Sequence, residues 1–191
     1  MLSFFKYRCP HHRQQAESFP LGTESDPGSY TFSSIQTAFA AIKSRWPACP
    51  LRVALFNVGC WVRSPFLDFK PEQLQESIDI HIVAAFAFAR EAILAFKELD
   101  IDEEGGKGKR GTLIFTGATA STRGGPLSSV FSASMFGSRA LSQSLAKEFG
   151  KENIHVSSTL IHIVFFRMIN LLFDSGRSCK PVAHAPCHAL L

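Results

Sequence analysis

Charge is scarce in this chain. Charged residues fill 19% of its 191 positions and apolar residues 46%, a balance that excludes a disordered, self-repelling polypeptide and suits one globular domain with a core. Nor does one sign of charge dominate: 20 basic residues against 16 acidic ones leave a net +4. The single tight basic run, Lys107, Lys109 and Arg110, lies in a Gly-rich stretch. It reads as a solvated loop; a nucleic-acid surface needs a basic stripe with interleaved aromatics. Long apolar runs are missing too. Leu160 to Phe173 is interrupted by His162, Arg167 and Asn170 and is too short to span a bilayer. Met1 to Phe5 is far shorter than the apolar region of a signal peptide, and Lys6 and Arg8 follow at once. The expectation is a soluble, cytoplasmic protein with neither a membrane nor a nucleic-acid partner.

Cysteine is also sparse and irregular. Cys9, Cys49, Cys60, Cys179 and Cys187 are odd in number and share no spacing, which argues against a disulfide framework and for reduced thiols. Two His/Cys groups sit near the ends (Cys9, His11, His12, and Cys179, His184, Cys187, His188). They lack the paired ligands at short spacing that zinc sites use, so no metal is expected.

What remains is a series of alternating periods. Residues 1 to about 30 show none and carry Pro10, Pro20, Gly22, Pro27 and Gly28, turn and loop formers. Ser34 to Trp46 reads as a helix, capped by Ser29 or Ser33 and stopped by Pro47. Leu51 to Asn57 is a short apolar strand. Pro71 opens a long helix running to about Leu99, with Leu74, Ile78, Ile82, Ala85, Phe86, Ala89, Ile93 and Phe96 recurring every three or four positions. Thr112 to Thr116 is a second strand and Ser128 to Phe149 a third helix, which Gly150 ends. Ile154 to Ile163 is a third strand, and Phe165 to Phe173 has a helical pattern. Strands alternating with helices imply βαβ units and a parallel sheet. Ligands of such sheets bind beyond the carboxyl ends of the strands, here Asn57 to Gly59, Gly117 to Ser121, and Ile161 to Phe165.

Those strand ends carry a resemblance. Leu51-Arg-Val-Ala-Leu-Phe-Asn-Val-Gly59 resembles the strand and Asn-Ala-Gly turn of the short-chain dehydrogenase/reductase family. Gly111-Thr-Leu-Ile-Phe-Thr-Gly-Ala-Thr-Ala-Ser121 resembles the strand that bears the family's active-site serine, in a branch reading Phe-Thr-Gly-Ala-Thr-Ala-Ser with Phe in place of the catalytic tyrosine. Phe131 to Phe149 resembles the Tyr-x-x-x-Lys helix, and Ile154-His-Val the strand after it. Each motif is weak alone; their order and spacing over residues 20 to 165 are specific. The resemblance implies an α/β fold, a partial Rossmann-like parallel sheet flanked by helices, with the first βαβ unit and the final strand missing or degraded. It divides the chain into a poorly ordered segment (1–22), the partial Rossmann domain (23–165) and a divergent tail (166–191).

The resemblance also implies roles. The family uses a tyrosine as general acid or base, a lysine that lowers its pKa and holds the nicotinamide ribose, a serine that orients the carbonyl, and an asparagine in a proton relay. Proton transfer requires a titratable group near the working pH, and a nearby cation stabilises a phenolate. The matching positions here are Phe131, Met135, Ala118 and His81, with Thr119 and Ser121 as substitute hydroxyls. None of the four holds its usual residue. On the cofactor side, NAD(P) is implied by the family, but no Gly-rich Thr-Gly-x-x-x-Gly-x-Gly turn is found. Thr23 to Asp26 stands where adenine is contacted, and Asn57 and Gly59 survive, with Val58 expected to crowd the cofactor. Val58 aside, each of these residues also has a structural explanation as turn, core or helix surface.

Four readings follow: a truncated, degenerate family member without the usual hydride transfer; a working NADP-linked oxidoreductase using Thr119, Ser121 or His81; a non-enzymatic interaction protein, forming a homo-oligomer or a heteromer with an intact relative through its two long helices; or the product of a faulty gene model. Missing central strands would leave sheet edges open, to be covered by another copy or by the chain's own termini, or else to leave the chain marginally stable.

Overall fold

A computed structural model of the chain describes residues 2–7, 15–20, 30–103 and 108–161. The expected helix at Phe165 to Phe173, both terminal His/Cys groups and the Thr23 to Asp26 segment lie outside them. Five strands form one sheet: β1 (Leu2–Tyr7), β2 (Gln15–Pro20), β3 (Leu51–Phe56), β4 (Gly111–Gly117) and β5 (Ile154–Leu160), in the order β2-β1-β3-β4-β5. β3, β4 and β5 are parallel, with Val53 beside Thr112 and Gly111 beside Ile154. Helices α1 (Phe32–Arg45), α2 (Pro71–Ile78), α3 (Ala84–Lys97) and α4 (Ser129–Phe149) make the crossovers. The architecture is α/β, a three-stranded parallel Rossmann-like sheet flanked by helices, as the sequence implies.

Local chemistry sets most boundaries. Thr31, rather than Ser29 or Ser33, caps α1: its Oγ accepts from the Ser34 N–H at 3.2 Å, satisfying an orphan donor of the first turn. Pro71 starts α2, and the Gln73 side chain accepts the Lys70 N–H at 2.9 Å. Gly150 does not end α4 in the left-handed region. A 3-10 turn (Gly150–Glu152) follows, and Asn153, at φ 61°, makes the reversal into β5; the short amide side chain tolerates that conformation.

The core lies against one face of the sheet. Burial alternates along β4, with Gly111, Leu113, Phe115 and Gly117 turned inward, as expected of a sheet covered on one side. Phe115 meets Phe56 (5.9 Å between ring centroids), and Phe56 meets Phe88 of α3 (5.3 Å). Phe39 of α1 packs edge-on to the same Phe88 ring at 5.3 Å.

Three differences from the sequence reading stand out. First, the aperiodic start of the chain contains two strands. β1 pairs antiparallel with β3 (Phe4 beside Leu55) and with β2 (Leu2 beside Pro20), so the chain's own terminus covers the β3 edge. Pairing this distant in sequence leaves no local period to read. Second, the long helix is not uniformly α: residues Asp79–Val83 form a π-helical turn between α2 and α3. Third, Cys49 and Cys60 are disulfide-bonded, against the expectation of reduced thiols; sequence spacing cannot show which sulfurs a fold brings together. No described helix is long and apolar enough to cross a membrane, and no described group of His, Cys, Asp and Glu could hold a metal ion.

Candidate functional site

The carboxyl ends of β3 and β4 open toward the π-turn and α4, and the positions of interest gather there. His81 sits in the π-turn, 1% exposed. Such turns insert one residue into a helix and often mark functional positions. The Cys60 N–H, just past β3, points at His81 Nε2 at 3.3 Å. A backbone N–H can only donate, so Nε2 accepts and Nδ1 carries the proton. Nδ1–H then donates to the Ser77 carbonyl at 3.0 Å. Both ring nitrogens are thereby satisfied by the backbone in the neutral tautomer. Burial pushes the imidazole's pKa down to about 4, against a smaller upward pull from the Ser77 carbonyl.

A second chain of hydrogen bonds lies alongside. The Ser77 hydroxyl donates to Ser134 Oγ at 2.9 Å, and Ser134 donates to the Val130 carbonyl at 3.2 Å, tying α2 to α4. Phe131 stands edge-on to the His81 ring, with centroids 5.5 Å apart. Met135, one turn further along α4, is buried. The structure therefore brings His81, Phe131 and the turn after β3 together. Ser77 and Ser134 complete the cluster and were not singled out from sequence; the one available signal was serine on the otherwise apolar face of a helix.

Ala118, Thr119 and Ser121 occupy the turn after β4. Ser121 is 1% exposed, and its hydroxyl donates to the Ala118 carbonyl at 2.5 Å. Its own carbonyl accepts from Arg139 at 3.4 Å. Thr119 is exposed. Among the described residues no hydrogen bond joins either hydroxyl to His81, so neither has a base to activate it.

On the cofactor side, Asn57 is buried and Gly59 exposed, with open space where a Cβ would be. Val58 turns into the core. The neighbour of β3 on this side is an antiparallel strand, which reaches the ligand end of the sheet at its start, Leu2, and so offers no strand-to-helix turn there. The α1 N-terminus is closed by Thr31. The described residues thus lack the backbone cradle for a pyrophosphate. Asn57 and Gly59 alone do not fit a nicotinamide dinucleotide as the family holds one.

The comparisons with known proteins settle the ancestry. The family model for short chain dehydrogenase matches residues 28–168, well over half of the chain. The chain belongs to that family. Its relatives include a 3alpha-hydroxysteroid dehydrogenase of Mediterraneibacter gnavus, 30% identical over 102 residues, which are 53% of this chain and 37% of that one. Among solved structures, a short-chain dehydrogenase from Rhodopseudomonas palustris is 30% identical with a TM-score of 0.58, over 69% of this chain and 56% of that one. The chain thus spans about a third to a half of these relatives' lengths. A gluconate 5-dehydrogenase from Burkholderia cenocepacia, solved with NADP and tartrate, shares the fold at 14% identity and a TM-score of 0.60, over 70% of this chain and 48% of that one.

Proposed function

We propose that this short-chain dehydrogenase has kept the family's scaffold without its proton-transfer chemistry, and that it works by holding another protein chain. One observation carries this reading. The positions that match the acid, the cation and the carbonyl-orienting hydroxyl hold Phe131, Met135 and Ala118, while His81, at the relay position, is neutral and committed to two backbone partners. Hydride transfer to a carbonyl leaves an alkoxide that must take a proton, and none of these groups delivers one near neutral pH. NAD(P) is the cofactor the family implies; Asn57 and Gly59 would touch it, weakly. The helices α3 and α4 would make the contacts to a second copy or an intact relative: Phe86 and Leu94, two turns apart on α3, and Phe136 on α4 are about half exposed.

The test is a titration of NADPH and NADH into folded protein, followed by nicotinamide fluorescence. No saturable change below millimolar cofactor is expected. Saturable micromolar binding would overturn the reading and would turn attention to Thr119, Ser121 and His81 as a rearranged site.

A further inference from the structure

The loops after β3 and β4 form one rim at the carboxyl ends of the strands. The Ser64 N–H donates to the Leu127 carbonyl at 2.9 Å, and Arg139 of α4 donates to the Ser121 carbonyl in the second of these loops. The fold does not account for two features of this rim. The first is apolar projection. Leu67 is 91% exposed and Phe66 67%, on a turn closed by the Asp68 N–H and the Pro65 carbonyl at 3.1 Å. Leu127, 39% exposed, sits at φ 64°, a left-handed conformation that a bulky residue rarely takes and glycine takes without strain. The second is charge. Residues 57–70 and 117–139 carry Arg63, Lys70, Arg123 and Arg139 against one acid, Asp68, and no described carboxylate pairs with any of the four.

We infer that this rim is an interaction surface, and that its occupant is a segment of another protein carrying carboxylates around an apolar anchor. Aromatic and arginine side chains together are what protein interfaces are enriched in. Side chains that project this far are buried by a partner's surface; a small ligand needs a concave site. The arginine forks match carboxylates bidentately. The rest of the chain offers no such segment. Residues 162–191 hold Arg167, Arg177 and Lys180 against Asp174, residues 8–14 hold Arg8 and Arg13 and no acid, and Glu24 and Asp26 follow β2, which stands three strands from β4. A second copy using the same face would set arginine against arginine. Asp68, at the turn itself, disfavours burial of the tip in an anionic bilayer. The rim lies on loops, not on the helix faces that carry Phe86, Leu94 and Phe136. The inference rests on the holding role proposed above only for the nature of the occupant, and its test is read apart from cofactor binding.

The probe is a fluorescein-labelled peptide, Glu-Asp-Glu-Leu-Phe-Glu-Asp-Glu, titrated with the folded chain and followed by fluorescence anisotropy. Saturable binding is expected, weakening as salt is raised. Arg63→Glu and Arg123→Glu should each weaken it about tenfold. Leu127→Gly removes the apolar side chain and the backbone strain together, so it should weaken the peptide several-fold while the thermal midpoint holds or rises. Phe66→Ser, on an exposed turn, should weaken it likewise, and decides the matter if Leu127→Gly lowers the midpoint. No saturable binding, or binding that both arginine variants leave unchanged, overturns the proposal. So does binding that Leu127→Gly and Phe66→Ser leave intact, which is charge attraction without a docking face. Adsorption to phosphatidylserine vesicles without peptide binding overturns it too, and assigns the rim to a lipid surface.

Discussion

At the scale of single residues, His81 decides how the site behaves. A family position that would serve a relay holds an imidazole whose two nitrogens are spent on the Cys60 N–H and the Ser77 carbonyl. It joins the turn after β3 to the helix above it. That role has a pH signature. The imidazole's pKa is about 4 in the folded chain, against an ordinary value of 6.5, so between these values the unfolded chain holds a proton that the folded chain refuses. The stability contributed by the neutral ring is complete above pH 6.5 and is lost as pH falls toward 4, a total of roughly 3 kcal/mol. His155, lowered by burial and by Lys109, acts in the same direction and less strongly, being largely exposed. Urea unfolding at a series of pH values should therefore show a midpoint that declines through this window, and His81→Asn should flatten most of the decline. A wild-type midpoint level from pH 7 to pH 4.5 would contradict the assigned burial and tautomer.

At the scale of elements, close approach of helix to sheet sets which glycines matter. A Cβ on Gly111 would lie 2.3 Å from the Phe96 ring, and Phe96 is fully buried. One on Gly137 would meet the Ile82 side chain, closest at its terminal methyl at 2.4 Å, which can rotate away. Gly111→Ala should cost about 1–3 kcal/mol or more through overpacking, and Gly137→Ala clearly less; thermal unfolding of the two variants orders them, and the reverse order would contradict the packing of α3 on β4. The same contrast explains what the sequence made legible. β3, β4 and the paired turns at Asn57 and Gly117 were readable because short apolar strands end in polar turns, and α3 and α4 because their apolar residues recur with helical period. The π-turn was not readable, since one inserted residue shifts that period by too little. β1 and β2 were not readable either, since their strand character comes from pairing, β1 with β3 and β2 with β1, rather than from alternation. Within the site, the family positions could be placed by spacing, but Ser77 with Ser134 depends on how α2 approaches α4, a tertiary fact.

At the scale of the whole molecule, the hairpin β1–β2 extends one side of the parallel sheet, and among the described residues β5 is the last strand on the other. The described part of the stretch that matches the family, residues 30–103 and 108–161, has an α/β layering, while the strand ends and the facing helices carry Ala118, Phe131, Met135 and a neutral His81. On the proposed reading scaffold and chemistry have separated, the fold being held with Phe131, Met135 and Ala118 at the positions that match the family's tyrosine, lysine and serine. The most direct measurement is nicotinamide oxidation by the purified, folded chain with NADPH or NADH and a panel of ketones, including a 3-keto steroid, run beside His81→Ala and Ser121→Ala. The account predicts no turnover above the protein-free rate for any of the three proteins. Turnover by wild type that falls at least tenfold in either variant would contradict it and establish a working site built from substitute residues.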